Sequence, residues 1–513
     1  MSDVTIVWGG ILVAAHDRPA IPEGAVAVLG ERVQAVGLFR EISKQYPNAK
    51  IIGGSRFLLI PGLINGHSHG RGLSSFQRGA LDGRLESWIW ETRKFIPLPV
   101  YEDVAYSAVR LLRSGVTATM HNHLFSRAIP YEEEIQQAIR AYQDTGLRVL
   151  FCPAIGNRNP FVYGNNEGFL TSLPRSLQEL LTSSPRQSAL NPEDYVKVVK
   201  DLHTDHRTSM CHIGFGPLGP QWCTRDLLCQ IKKEAENSGI RIFIHALETS
   251  LQKTFGLQDL GKTLVRFMFD MGLLGPNLVI GHCVWPSQED LQLLAGTCTG
   301  VTHHPSSNLR LQSGIAPVSP MLEAGIRVGL GLDGQGINDN DDFIQEMKLC
   351  FLLHRLSSLE LDSYYPSSRE IFRMATEDNA VLLGYGQELG RLEPCRFADL
   401  VLLDFGEMRY PFIYEAQDPI DVLFYRGKGS HVHTVMVNGK VIVEGGKVLN
   451  VDEEALAMCL AEAASRPRTR KEDVLVAALE ELKRHIASYY KGWSDRVAHR
   501  PYYSINSRIG GLI

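Results

Sequence analysis

The chain has 513 residues, of which 44% are hydrophobic and 21% are charged, and its formal net charge at pH 7 is −5. This composition is typical of a globular protein with a large core, and the slightly acidic balance argues against a nucleic-acid partner, which usually needs a basic face. The nine cysteines include no CxxC pair, and neither a basic N-terminal segment nor a run of about eighteen apolar residues occurs. We therefore expect a cytoplasmic protein with reduced thiols, without a membrane or nucleic-acid partner.

Short apolar runs separated by turns occupy residues 1–55 at the beginning of the chain. Residues 396–450 repeat this pattern, and Asn438-Gly439 between β-branched residues is a strong hairpin-turn signal. Because two β-rich ends flank a long middle, we predict one small β-sandwich domain built from residues 1–55 and 396–450.

The middle of the chain, residues 56–395, alternates β-branched apolar runs with amphipathic helical stretches. The candidate strands are 56–64, 115–121, 147–155, 210–217, 240–247, 277–284, 300–305 and 326–333. Eight βα units predict an α/β fold, a parallel (β/α)8 TIM barrel. Residues 156–190 form a long stretch rich in Gly, Asn, Pro and Ser, which predicts a lid or insertion. Residues 451–513 have helical periodicity and predict a helical C-terminal extension.

Histidine pairs of the form HxH are more frequent here than chance predicts. Seventeen histidines in 513 residues give about 0.6 such pairs by chance, and the chain has three. They are His67/His69, His121/His123 and His431/His433. Only the first pair follows the first candidate barrel strand, where residues i and i+2 point the same way and barrel active sites lie. The third pair falls in the small β domain, where we expect no role in the site.

Other residues that bind metals also end candidate barrel strands. His245, His282 and Asp333 end the fifth, sixth and eighth strands. One histidine at a strand end is usually structural, but five such groups at the ends of four strands indicate a metal site. Imidazoles with a carboxylate suit Zn²⁺, which we favour, or Fe²⁺. Glu248 lies three residues after His245, and we predict a proton-transfer role for it rather than a solvated position on a loop.

These motifs resemble those of the amidohydrolase superfamily. The segments PGLINGHSH (61–69), HALE (245–248), GHC (281–283) and LGLDG (330–334) follow that family's order. HHPSSNLRLQSGIAP (303–317), RMATEDNAVLLG (373–384) and GRLEPCRFADLVLLD (390–404) are similar to one branch of it. That branch holds triazine hydrolases and the guanine, 8-oxoguanine and methylthioadenosine deaminases. The resemblance covers residues 1–450.

The resemblance implies a role for each matching residue. His67, His69, His245 and Asp333 would bind one divalent metal; His282 would polarise the water or the substrate; and Asp333 would also take the water's proton. Glu248 would exchange protons with a ring nitrogen, and Asn308 and His303 would line the substrate pocket. The candidate strands 147–155 and 210–217 contain no lysine, which supports one metal rather than two. The resemblance also implies a homodimer.

The substrate segment, residues 71–100, departs from the branch pattern. Methylthioadenosine deaminases carry a ribose-binding glutamate after a proline there, whereas Leu98 follows Pro97 in this chain, which argues against a nucleoside. Arg84 and Trp88 are candidates to clamp a flat ring, with loop packing as the alternative. His123 is a candidate substrate contact at the end of the second strand, with a packing role as the favoured alternative.

Several reactions remain open from the sequence. The leading hypothesis is metal-dependent hydrolysis of a C–N bond other than a peptide bond, as deamination of a purine-, pterin-, pyrimidine- or triazine-like ring. Alternatives are the opening or closure of a cyclic amide or urea, halide release from a chlorinated triazine, and a barrel that binds metal without turnover.

Overall fold

The computed structural model describes residues 4–126, 129–182, 190–334, 336–355 and 362–493. The last part of the predicted lid (183–189) and the end of the predicted extension (494–513) lie outside these residues. The strands within them, in chain order, are β1 (Thr5–Leu12), β2 (Ile21–Leu29), β3 (Arg32–Leu38), β4 (Lys50–Pro61), β5 (Leu63–Ser68), β6 (Val116–His123), β7 (Arg148–Ile155), β8 (Cys211–Ile213), β9 (Gly216–Pro217), β10 (Ile242–Ala246), β11 (Leu278–His282), β12 (Gly300–His303), β13 (Val328–Leu330), β14 (Leu400–Asp404), β15 (Val432–Val437), β16 (Lys440–Glu444) and β17 (Lys447–Val448).

The α-helices of the described residues lie between the strands and at the C-terminal end. They are α1 (Phe39–Gln45), α2 (Leu85–Glu91), α3 (Val100–Arg113), α4 (Tyr131–Thr145), α5 (Asn166–Ser172), α6 (Arg175–Thr182), α7 (Pro192–His206), α8 (Arg225–Ser238), α9 (Ser250–Asp259), α10 (Leu264–Asp270), α11 (Gln288–Gly296), α12 (Pro305–Arg310), α13 (Val318–Glu323), α14 (Phe343–Leu353), α15 (Ser368–Arg373), α16 (Asn379–Leu382), α17 (Phe405–Arg409), α18 (Pro419–Arg426), α19 (Glu453–Ser465) and α20 (Arg470–Tyr489). None of these helices has both the length and the apolar character that crossing a bilayer requires.

The barrel consists of two runs of parallel strands that close on each other. Strands β5, β6, β7 and β8 pair in that order, with β9 beside β7, and β10 to β13 pair in that order. A bridge between Phe215 and Ile242 joins the runs on one side, and a bridge between Ser68 and Asp333 joins them on the other. The predicted parallel barrel is confirmed, and the second closure brings Asp333 beside Ser68, which lies between His67 and His69.

Two strand predictions need correction, because residues 56–64 and residues 210–217 each span two strands. In the second case β8 ends at Ile213 and β9 begins at Gly216. β4 ends at Pro61 and β5 begins at Leu63. Gly62 lies between them, where a Cβ atom would overlap the side chain of Thr117. The chain therefore leaves the small sheet and enters the barrel within two residues.

The small β domain is one continuous hydrogen-bonded sheet of eight strands, in the order β17-β16-β15-β14-β4-β1-β2-β3. Side chains from both ends of the chain, such as Val26 and Leu400, share one buried cluster, although the strands are not divided into two separate sheets. β4 crosses the predicted boundary at residue 55. The division into 1–55 with 396–450, 56–395 and 451–513 stays a prediction.

The C-terminal helices pack on the barrel in two places. Leu456 and Leu460 of α19 are buried, and Glu453 accepts a hydrogen bond from Arg113 of α3. Helix α20 buries Leu479, Leu482 and Ile486 in a cluster with α2, α5 and α6. The helices after residue 450 are therefore integral to the wall above the barrel strands.

Candidate active site

The histidines and the aspartate predicted to bind metal meet at the carboxyl ends of the barrel strands. His67 Nε2 lies 3.1 Å from Asp333 Oδ1, and His69 Nε2 lies 3.0 Å from the same oxygen. His245 Nε2 lies 3.2 Å from His67 Nε2. His67 lies in β5 and His245 in β10, whereas His69 directly follows β5 and Asp333 lies three residues after β13. The bridge between Ser68 and Asp333 brings the ends of β5 and β13 together.

Hydrogen bonds behind the imidazoles fix which nitrogen faces the centre. His245 Nδ1 lies 2.8 Å from the carbonyl oxygen of Leu218, and His69 Nδ1 lies 2.9 Å from that of Asn122. A carbonyl only accepts, so both Nδ1 atoms carry the proton and each neutral ring presents a bare Nε2. His67 stacks on the ring of Phe243, with centroids 4.7 Å apart.

This donor set fits a divalent transition metal. The three close contacts are His67–Asp333, His69–Asp333 and His245–His67. A proton on His67 Nε2 could form a hydrogen bond in only one of them. A cation between the four side chains would instead be bound by all four. Tetrahedral coordination with bonds of about 2.0–2.1 Å separates ligand atoms by about 3.3–3.4 Å, close to the distances found here.

Burial keeps the imidazoles in the state that a metal needs. It lowers the pKa of His67 to about 4 and lowers the pKa of His245 well below its ordinary value. Burial alone would favour the neutral acid at Asp333, but its close contacts with His67 and His69 hold its pKa well below the ordinary value. Neutral imidazoles and an ionised carboxylate are therefore the stable forms near neutral pH.

Two of the strand-end residues have an unusual backbone. His282 has φ of 71° and Asp333 has φ of 62°, both in the left-handed region that non-glycine residues rarely adopt. Such conformations concentrate at functional sites, where the surrounding structure holds them. Each bends the chain at the end of its strand.

Glu248 and His282 lie beside the metal-binding group. His282 Nε2 is 3.8 Å from Glu248 Oε2 and 3.9 Å from Asp333 Oδ2. His282 Nδ1 donates to Asn308 Oδ1 at 2.8 Å, which turns the bare Nε2 toward the two carboxyl groups. Burial raises the pKa of Glu248 well above the ordinary value, and the charges of Asp333 and Glu86 add to this.

A cavity with about 980 Å³ of empty space, including its open mouth, covers this group. Its polar floor contains His69, His245, Glu248, His282 and Asp333. Its walls are largely apolar and include Leu85, Trp88, Ile89, Trp222 and Leu311. An open pocket with flat apolar walls above convergent polar groups is typical of a site for a small heterocyclic molecule.

The predicted substrate contacts divide into two sets. Trp88 lines the cavity, whereas Arg84 is exposed at the N-terminus of α2 and is not among the lining residues of the described chain. Asn308 positions His282 from behind rather than lining the cavity. The Nε2 atom of His303 lies 3.1 Å from that of His354, and His303 is buried away from the cavity.

His123 lines a second space next to the cavity rather than the cavity itself. Its Nε2 atom lies 3.3 Å from Glu134 Oε1, and its Nδ1 atom lies 3.3 Å from His121 Nε2. These contacts support the favoured alternative, in which His123 packs and hydrogen-bonds within the protein. His433 packs on Phe57 in the small sheet, remote from the strand ends.

Sequence reasoning missed several groups that support the site. Ser307 Oγ donates to Asp333 Oδ2 at 2.6 Å, and His304 Nδ1 lies 3.2 Å from His282 Nδ1. The HHPSS segment contains both residues, so its polarity was the available signal. Arg71 also lines the cavity, two residues after His69. No pattern in the sequence singled it out.

A polar chain links the cavity wall to the C-terminal helix. Thr249, next to Glu248, donates to Glu86 Oε1, and Tyr163 Oη donates to the same oxygen at 3.3 Å. The backbone N–H of Tyr163 donates to Tyr490 Oη at 2.8 Å, and Tyr489 Oη donates to the Tyr163 carbonyl at 2.8 Å. Helix α20 therefore holds the segment that follows β7 against α2.

The fold and the strand-end group define a metal-dependent barrel hydrolase, and comparison with known proteins identifies the family. The Amidohydrolase family model matches residues 58–442, so the chain belongs to the amidohydrolase family.

Relatives match over most of the chain. A 5'-deoxyadenosine deaminase of Methanosarcina barkeri is 29% identical over 475 residues, covering 92% of this chain and 99% of its own. A 5-methylthioadenosine/S-adenosylhomocysteine deaminase of Syntrophobacter fumaroxidans is 30% identical over 459 residues, covering 88% of this chain and 96% of its own. The crystal structure of an adenosine deaminase from Xanthomonas campestris with bound zinc has a TM-score of 0.74 and 19% identity, covering 93% of this chain and 99% of its own. That likeness shows the shared fold.

Proposed function

We propose that this protein is a metal-dependent aminohydrolase that removes an amino group from a nitrogen heterocycle. The observation that carries the proposal is the buried carboxyl of Glu248, which lies 3.8 Å from His282 and beside the four residues predicted to bind metal. Deamination of a cyclic amidine needs a water nucleophile at the ring carbon and an acid at the adjacent ring nitrogen. The names of the deaminase relatives support the same reaction class.

His67, His69, His245 and Asp333 would hold one divalent ion, Zn²⁺ rather than Fe²⁺. The ion supplies Lewis acidity that lowers the pKa of water to about 7. The zinc in the Xanthomonas structure supports this choice.

The proton transfers are assigned to two side chains. Asp333 Oδ2 accepts the proton of the attacking water, and its hydrogen bond from Ser307 keeps this oxygen oriented. Glu248 delivers its proton to the ring nitrogen beside the attacked carbon. Asp333 then passes the proton of the water to the amino group, the C–N bond breaks and ammonia leaves, and Glu248 regains a proton from the remaining hydroxyl group as the carbonyl forms. His282, whose Nδ1 donates to Asn308, accepts a hydrogen bond from the attacking water through Nε2 and so orients that water.

The apolar walls orient the ring. Trp88, Leu85 and Leu311 are buried together beside the cavity, and Trp222 packs against them. A flat ring stacked there places its amino-bearing edge toward the polar floor. This favours an aromatic amidine over a flexible chain, whereas Arg84 contributes nothing to the clamp.

Ammonia release from a panel of aminated purines, pterins, pyrimidines and triazines tests the proposal on zinc-loaded protein. We expect Glu248→Gln to lower kcat about 10²- to 10⁴-fold, which is the usual contribution of a general acid. Glu132→Gln, an exposed residue on α4, is the matched control and should retain activity.

Other outcomes would replace deamination by a named alternative. Ring-opened products from cyclic amides or ureas without ammonia would assign ring hydrolysis, and chloride release from chlorinated triazines would assign dehalogenation. Metal binding without turnover of any panel member would assign a non-catalytic barrel. The homodimer and the cytoplasmic location stay predictions; light scattering of the purified chain tests the former.

A further inference from the structure

A second space opens next to the cavity described above, with about 2440 Å³ of empty volume including its mouth. The two spaces share wall residues, among them His69, Arg71, Leu124 and Leu218. The two spaces are therefore adjacent, and Arg71 lies on the wall that both of them share.

Arg71 at this junction has no hydrogen bond or ion pair with any residue that the structure describes. The carboxylates that act on it are Asp103 and Asp333, and neither lies within ion-pair distance. Asp333 belongs to the metal-binding group. A half-buried guanidinium without a partner is costly, because its desolvated donors are unsatisfied.

The acidic groups that line the second space are already engaged. Asp103 Oδ1 accepts from the backbone N–H of Gly72 at 2.7 Å. Glu134 accepts from the N–H of Ser126 at 2.6 Å and lies 3.3 Å from His123. These carboxylates accept hydrogen bonds from the protein's own donors, and neither forms an ion pair with Arg71.

Arg78, another arginine that lines the second space, has partners within the protein. Arg78 donates from Nη2 to the Ile96 carbonyl at 2.7 Å and stacks on Phe95 with 4.3 Å between the guanidinium carbon and the ring centre. In contrast to Arg78, Arg71 has guanidinium N–H groups that can donate to a molecule entering the site.

We propose that the substrate carries an anionic substituent, a carboxylate or a phosphate, which Arg71 binds while the ring lies over the metal-binding group. This inference rests on the proposed function and deepens it. The fork of guanidinium N–H groups matches the paired oxygens of such an anion. Arg71 is then a specificity-determining residue, and the second space accommodates the substituent.

The first arm of the test measures anion binding without turnover. Acetate and inorganic phosphate are titrated into zinc-loaded full-length protein, and apparent Kd values come from the shift of the melting temperature. We expect Arg71→Met to weaken binding about 10- to 100-fold, Arg71→Lys to weaken it less, and the exposed Arg84→Met to leave it unchanged.

The second arm compares substrate pairs that share a ring, namely adenosine with adenosine 5'-monophosphate, and 5'-deoxyadenosine with S-adenosylhomocysteine. We expect the anionic member of a pair to have the higher kcat/KM, and Arg71→Met to remove that advantage mainly through KM. Circular dichroism checks that each variant is folded.

The outcomes separate this inference from the proposed function. Equal anion binding by the parent and Arg71→Met, or no anion binding by the parent, overturns the inference even if every ring is deaminated. Loss of anion binding in Arg71→Met supports it even if no panel ring is deaminated, and in that case only the proposed function fails.

Discussion

The floor and the roof of the cavity are built in different ways. The floor is the strand-end group, His67, His69, His245, His282 and Asp333, fixed by parallel strands and by the closure between β5 and β13. The roof is the helical cluster of α2, α5, α6 and α20, in which side chains such as Trp90 and Leu482 pack together.

The positions of the floor residues can be inferred from the local sequence, whereas those of the roof residues depend on long-range packing. Floor positions follow from a local rule, because the last residue of a parallel barrel strand faces the site whatever lies elsewhere. Roof positions depend on a helix more than three hundred residues away in sequence, as in the hydrogen bond between Tyr163 and Tyr490. Chemistry should therefore depend on the floor, and ligand affinity and stability on the roof.

Removing a floor ligand should have the largest effect. We expect His69→Ala to lose metal and to lower activity more than about a hundredfold. Loss of a group that only orients a metal ligand usually costs about 10- to 100-fold, and loss of a ligand itself should cost more. His433→Ala, from the HxH pair in the small sheet, should retain both. Metal analysis and kcat/KM of the two variants measure the contrast. Equal losses would contradict the assignment of the first pair.

Opening the roof should reduce stability and affinity before chemistry. Leu482 is fully buried, so Leu482→Ala should cost about 2–5 kcal/mol of unfolding free energy and raise KM more than it lowers kcat. Met458→Ala, exposed on α19, is the control. Denaturant unfolding and hydrogen exchange in α2 and α20 report the effect. Unchanged exchange in α2 would mean that α20 does not hold the roof.

A buried carboxyl below the floor makes stability depend on pH. Burial raises the pKa of Glu346 to about 8, and Glu346 accepts a hydrogen bond from the Ser306 N–H at 2.9 Å. The pKa of Glu346 is higher in the folded state than in the unfolded state. The contribution of its protonated carboxyl to the unfolding free energy is therefore present below about pH 4.5 and is lost as the pH rises through 8. We expect the unfolding free energy to fall by roughly 3 kcal/mol between pH 5 and 9 and Glu346→Gln to flatten that slope. Identical slopes would refute this.

The smallest effect is expected at the rim of the roof. Trp88→Leu should raise KM several-fold because Trp88 forms part of the cavity wall, whereas Arg84→Met should change kcat/KM less than about threefold because Arg84 is exposed. Steady-state kinetics on one deaminated substrate distinguish them. A large loss in Arg84→Met would show that this arginine swings into the cavity.

The sequence by itself determined the barrel and the chemistry of its floor. Strand-length apolar runs that each end in a polar residue specify both the strand and the side of the barrel where that residue lies, so His67, His245 and Asp333 could be placed without coordinates. The tertiary structure alone decided that His303 turns to His354, that Asn308 supports His282 and that α20 closes the roof. It also decided that Arg71 has no hydrogen-bond or ion-pair partner among the residues that the structure describes. Those outcomes depend on which distant surfaces meet, and neither periodicity nor residue type along one chain encodes such packing.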